Sequence, residues 1–155
     1  MLLALLLILA GLAGAIAPQT AAAKVYTIDV GGVQITSENA ANITGPNITG
    51  KVSFDESTHT LILNNATIDG GSRSAIHYYV VDEGRLIVPA DGITIRLQGN
   101  NTLKSRIAST ISALASIRIT GGGSLTIKSG NCAIEVGNAD VKEANLTIDG
   151  CTLTA

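Results

Sequence analysis

From residue 24 onward the chain is a succession of short apolar and polar alternations punctuated by Gly, Asn and Asp. Val25–Val30 alternates in part, and Thr60-Leu61-Ile62-Leu63 is a short apolar run. Leu86–Val88, Ile93–Leu97, Ile117–Ile119, Leu125–Ile127 and Leu146–Ile148 follow. β-Branched residues dominate these runs and turn formers bound them, which predicts strands. No segment sustains a helical period. Ser37–Ala41 reads as one helical turn capped by Ser37, and Ser105–Ala115 suits either state.

The strands repeat. Leu61-Ile62-Leu63-Asn64-Asn65 aligns with Ile95-Arg96-Leu97-Gln98-Gly99, with Ile117-Arg118-Ile119-Thr120-Gly121 and with Leu146-Thr147-Ile148-Asp149-Gly150. Each copy is followed by a second apolar stretch at Ile68, Leu103, Leu125–Ile127 and Leu153. A third element falls at Ala75-Ile76, Ile107 and Ala133-Ile134. One such unit cannot bury its apolar face, but stacked units form a continuous column. The expected fold is therefore all-β: a right-handed parallel β-helix with three strands per coil. An antiparallel sandwich shares the short strands and turns, and the repeated register argues against it. Asn65, Gly99, Gly121 and Gly150 become the corners, where a positive φ is cheap for Gly and tolerable for Asn. The residues before them, Asn64, Gln98, Thr120 and Asp149, are expected to form a polar ladder.

Residues before the repeat read as a cap. Gly31-Gly32 between Val30 and Val33 predicts a tight hairpin. Val52–Phe54 and Thr60–Ile62 flank a second one over Asp55–His59. The expected organisation is a signal peptide over 1–23, an N-terminal β-hairpin cap with the first coil over 24–70, and further coils over 71–155, in a chain that stops in mid-pattern at Ala155.

Composition changes the picture at the N-terminus. The chain is 46% hydrophobic, but that figure draws heavily on Leu2–Ala17, an unbroken apolar run. It is short of the roughly 20 residues a membrane span needs. Ala21-Ala22-Ala23 supplies a small-residue cleavage pattern, which predicts export with cleavage near Ala23–Lys24. No Lys or Arg precedes the run. The expected location is extracellular or at the cell surface, with no stable membrane span after signal removal. A net charge of -2 argues against a nucleic-acid partner. Cys132 and Cys151 sit at different points of the repeat, so a stacked disulfide is not expected.

Candidate chemistry is sparse. His59 reads as a turn residue and His77 as a strand or loop residue, neither in a nucleophile motif. Asp55 with Glu56 and Asp82 with Glu83 are adjacent, so on strands they point apart and read as solvated charges rather than a hydrolytic pair. Arg96 and Arg118 occupy equivalent repeat positions and would stack outward, able to grip a uronate carboxylate. Their plainer role is as outward sheet residues. Tyr78 and Tyr79 are the one aromatic pair; their plainer role is core or loop packing, and the alternative is that one of them offers a ring to a sugar. Calcium is the cofactor left open, with Asp149 and Asp140 as candidate ligands near turns. Ordinary Asp-Gly turn chemistry explains such residues equally well. Asn42, Asn47, Asn65, Asn100 and Asn145 begin Asn-x-Ser/Thr triplets, relevant only where exported proteins are glycosylated.

The segments Val30–Asn39, Ile48–Asp55, Thr60–Ile68, Ile95–Leu103 and Ile117–Thr126 together resemble secreted bacterial carbohydrate-binding-type parallel β-helix domains. The resemblance covers nearly all of residues 25–155. It implies a right-handed parallel β-helix outside the cytoplasm, with acidic plant polysaccharides as ligands and calcium in the coils of some relatives. The expected function is a secreted, non-catalytic, adhesin-like module that binds a polysaccharide, acidic and pectin-like, or a cell-surface glycan. A β-helix lyase or hydrolase and a structural stalk of a larger surface protein are the alternatives.

Overall fold

Gly31 and Gly32 hold φ angles of 59° and 85°, and the chain reverses on them. β1 (Val25–Val30) thereby pairs antiparallel with β2 (Val33–Thr36), Val30 opposite Val33. The computed structural model describes residues 22–82, 85–87, 91–137 and 143–155. The export segment expected over residues 1–23 lies almost wholly outside them. Among the described residues every regular element is a strand. Ser37–Ala41 forms turns rather than a helical turn. There Asn39 folds back, its Oδ1 accepting from the Thr36 N–H at 2.8 Å, a local bond that competes with helix.

The second hairpin also forms. β3 (Ile48–Asp55) runs antiparallel to β4 (Thr60–Asp69), with Asp55 opposite Thr60 and Ile48 opposite Ile68. Asp55 fastens the turn by accepting from Ser57 and Thr58. β4 is the pivot of the architecture. It bends at Asn65, whose φ is 49°, and its two halves pair with different strands.

After β5 (Ile76–Tyr78), a small antiparallel pair, β6 (Val80–Asp82) and β7 (Arg85–Ile87), interrupts the pattern. The chain then retraces the path of β4 and β5. β8 (Ile93–Gln98) pairs parallel with the first half of β4, and β9 (Asn100–Ser105) with the second half. β10 (Ile111–Ala113) pairs parallel with β5. β11 (Ile117–Thr120), β12 (Ser124–Ser129) and β13 (Ile134–Val136) repeat this course on β8, β9 and β10. β14 (Leu146–Asp149) and β15 (Thr152–Thr154) continue it on β11 and β12. Because β8 and β9 take one edge of β4, β3 takes the other. β1 likewise pairs antiparallel with β5. These strands cover edges that would otherwise template further pairing.

Inward positions form aliphatic columns across the ladders. Leu61, Ile95 and Ile119 are paired in register and fully buried, as are Ile68 and Leu103. Tyr78 pairs with Ala113, so the one bulky aromatic of that ladder faces a small residue.

Asn65, Gly99, Gly121 and Gly150 all have positive φ, as corners should. The register between the second and third copies differs from expectation by two residues. Ile119 lies opposite Ile95, and Arg118 opposite Thr94. The cause is the triple glycine Gly121–Gly123. β8 turns into β9 through Gly99 alone, so β11 must start two residues early for Ser124 to meet Asn100. A two-residue slip keeps every side chain on its own face, so hydrophobic pattern alone does not detect it. The expected corner ladder splits accordingly: Asn64 pairs with Gln98, whereas Thr120 pairs with Arg96 and Asp149. The third element of the second copy is β10, not Ile107, which is 64% exposed.

Asn101 does the ordering expected of the ladder. It is 2% exposed. Its Oδ1 accepts from the Ala66 N–H at 2.9 Å, and its Nδ2 donates to the carbonyls of Gln98 at 3.1 Å and Ser124 at 3.2 Å. One amide thus ties β4, its own corner and β12.

Candidate functional site

Inward Leu103 and Ile127 force their neighbours to the outer face of β9 and β12. The pairing then sorts that face into straight rows. Thr67, Thr102, Thr126 and Thr154 form one row across β4, β9, β12 and β15. Asp69, Lys104 and Lys128 form the next. Asn100, Ser124 and Thr152 form a third, in which the Ser124 hydroxyl donates to Asn100 Oδ1 at 2.8 Å. Neighbouring strands stand about 4.8 Å apart, so Lys104 and Lys128 present two like charges side by side. Among the described residues the ion pairs are Lys24–Glu56 and Arg118–Asp149, and neither lysine belongs to one. The Asp69 carboxylate at the end of the row accepts from the Gly71 N–H.

Neither lysine stands among the residues expected from sequence. A signal was present: Thr67-Ile68-Asp69, Thr102-Leu103-Lys104 and Thr126-Ile127-Lys128 are the same threonine-apolar-charged triplet.

Arg96 and Arg118, on β8 and β11, lie around a shallow cleft with Thr58, Thr94 and Thr120. They are diagonal neighbours rather than a stacked pair, because Arg96 faces Thr120 and Arg118 faces Thr94. Arg118 Nη2 donates to Asp149 Oδ2 at 2.5 Å. Its charge is therefore already met, and Asp149 is engaged as well. Among the described residues no group of three His, Cys, Asp or Glu side chains is placed to hold a metal. Asp140, the other candidate calcium ligand, lies outside the described residues.

The tyrosines part company. Tyr78 is fully buried, its hydroxyl donates to the Asp91 carbonyl at 2.7 Å, and burial pushes its pKa up. No face of its ring reaches solvent. Tyr79 is half-buried on the opposite side of the strand, edge-on to His77 with ring centroids 3.9 Å apart, and lines an open trough of about 420 Å³.

The carboxylates near the first hairpin serve the turn. Hydrogen bonds from Ser57 and Thr58 hold the Asp55 pKa below its usual value. Glu56 accepts from Lys24 and from the Tyr26 hydroxyl, the latter at 2.7 Å, and these bonds lower its pKa too. His59, in the left-handed region at φ 51°, is anchored through Nδ1 to the Gly92 carbonyl at 2.9 Å. Cys132 and Cys151 are both unbonded thiols, and Cys151 Sγ lies 3.8 Å from the Ile119 carbonyl.

No protein-family model, curated protein or solved structure matches the chain.

Proposed function

We propose that this chain is an exported, non-catalytic module that binds acidic, pectin-like polysaccharide, built as a right-handed parallel β-helix with three strands per coil. The parallel ladders β4–β8–β11–β14, β4–β9–β12–β15 and β5–β10–β13 support the fold. The apolar N-terminal run supports export.

The observation that carries the ligand is the register of Lys104 with Lys128 beside the threonine row. Lys104 has Asp69 opposite it on one side and Lys128 on the other, and the repulsion between the two ammonium groups is relieved when a further anion lies across them. A polyuronate laid across the strands carries many carboxylates, any of which can reach Lys104 or Lys128. The threonine hydroxyls, each a donor and an acceptor, meet its ring hydroxyls. Lysines act here as point charges rather than bidentate clamps, which suits a repeating chain more than one fixed pose. Adhesion to a cell-surface glycan would use the same contacts.

Calorimetry with polygalacturonate, and with its fully methyl-esterified form as the neutral control, tests the proposal. Binding to the acid form alone, with or without calcium, is the expected result. Absence of binding at low ionic strength overturns it. Release of unsaturated or reducing ends from the polymer would instead make the module a lyase or hydrolase.

A further inference from the structure

The trough beside Tyr79 is separate from the lysine face and has its own logic. Strand pairing places Asp29, His77, Ser112 and Glu135 in one row across β1, β5, β10 and β13. Their sequence neighbours Ile28, Val30, Ile76, Tyr78, Ile111 and Ala113 are buried, so the row faces the trough, with Ser112 recessed at 9% exposed on its floor. The row spans ~14 Å, three steps of about 4.8 Å. Carboxylates stand at both ends, one held by the Gly32 N–H at 3.0 Å and the other by the Ser109 hydroxyl at 2.8 Å. Between them lie an imidazole and the Ser112 hydroxyl, which donates to no group among the described residues. Tyr79 and Arg73 complete the walls.

We infer that this trough is a second binding site, for a short neutral oligosaccharide. A sugar hydroxyl donates and accepts at once, which matches carboxylates that only accept and a serine that does both. The Tyr79 ring supplies an apolar wall for a sugar C–H face. Two carboxylates against one Arg73 disfavour a polyanion. Burial lowers the His77 pKa, which favours the neutral imidazole, a group able to act on either side of a hydrogen bond. The inference does not depend on acidic-chain binding at Lys104 and Lys128.

The test is an NMR titration of the His77 ring resonances. The probes are maltotriose, cellotriose, xylotriose, mannotriose and galactotriose, with trigalacturonate as the acidic counterpart. At least one neutral trisaccharide should move His77 at millimolar concentration while His59 stays put. Affinity for it should fall at least tenfold in Glu135→Gln, an exposed position where the amide oxygen still accepts from Ser109, and in Ser112→Val. Lys128→Glu should leave it unchanged. If no neutral trisaccharide moves His77, or trigalacturonate moves it as strongly, the inference is overturned. Polygalacturonate binding in Glu135→Gln reports separately on the lysine face.

Discussion

Lys104 and Lys128 stand directly opposite each other on adjacent parallel strands. Like charges placed so destabilise a sheet, whereas opposite charges contribute about 0.2–1 kcal/mol. Lys128→Glu reverses that term, since its cross-strand neighbour is then a cation. We expect this variant to unfold at slightly higher urea than the wild type while losing at least tenfold in polygalacturonate affinity. Arg118→Gln should leave the affinity within twofold, because Arg118 is paired with Asp149. Equal losses in both variants would move the site to the arginine face.

The same face predicts the salt response. Both lysines are solvent-accessible, so their attraction to a polyanion is screened within about 10 Å at 0.1 M salt. Affinity for polygalacturonate should fall steeply between 20 mM and 500 mM sodium chloride, and neutral-trisaccharide binding at His77 should not. A salt-independent polygalacturonate affinity would exclude the stacked lysines as its source.

Asn101 gives the largest expected stability effect. Its amide satisfies a buried N–H of Ala66 and the carbonyls of Gln98 and Ser124. Leaving a buried polar group without a partner costs about 1–3 kcal/mol. Asn101→Leu should therefore lose at least that much in urea unfolding. Asn101→Asp should also be impaired, since a carboxylate cannot donate to the two carbonyls. A wild-type midpoint for Asn101→Leu would mean that the corner does not depend on this amide.

These residues also show where sequence reading reaches and where it stops. The corners were legible because positive φ selects Gly or Asn, and Asn65, Gly99, Gly121 and Gly150 all have it. Strands were legible because inward Ile and Leu recur at every second position. Register was not: apolar-x-apolar tolerates a two-residue slip without exposing anything, and only the three-dimensional corner at Gly121–Gly123 decides it. That slip separates Arg96 from Arg118. Lys104 and Lys128 were hidden for the converse reason, since an exposed lysine on a strand carries no signal until its cross-strand neighbour is known. Asn101 looked like any turn asparagine, and its role depends on two other strands, β4 and β12.

The corner glycines are not equivalent. Gly99 has φ 62°, and a Cβ there would run into the Asn65 side chain. Gly122 is exposed with nothing near a Cβ. A left-handed conformation costs a non-glycine residue roughly 1–2 kcal/mol, to which Gly99→Ala adds a steric clash. Gly99→Ala should lower the denaturation midpoint clearly, and Gly122→Ala should leave it nearly unchanged. Equal effects would mean that the corner at Gly99 relaxes without cost.

Acid should destabilise the fold in two separate steps. Burial lowers the His77 pKa below the ordinary 6.5, against the opposing charge of Asp29 and alongside that of Arg73. Glu135 lies beyond Ser112 in the same row. The unfolded chain then binds this proton first, so stability is lost as pH falls from about 6.5 through the lowered folded value. Asp55 and Glu56 are also lowered, from 3.8 and 4.5. Their contribution is present above those values and lost as pH falls below them. Urea midpoints measured from pH 7.5 to 3 should therefore decline first near pH 6.5 and again below about 4.5. His77→Gln should remove the first decline and keep the second. Glu56→Gln, which keeps an acceptor for the Tyr26 hydroxyl, should weaken only the second. A flat midpoint between pH 7 and 5 in the wild type would show that His77 is no more buried in the folded chain than in the unfolded one.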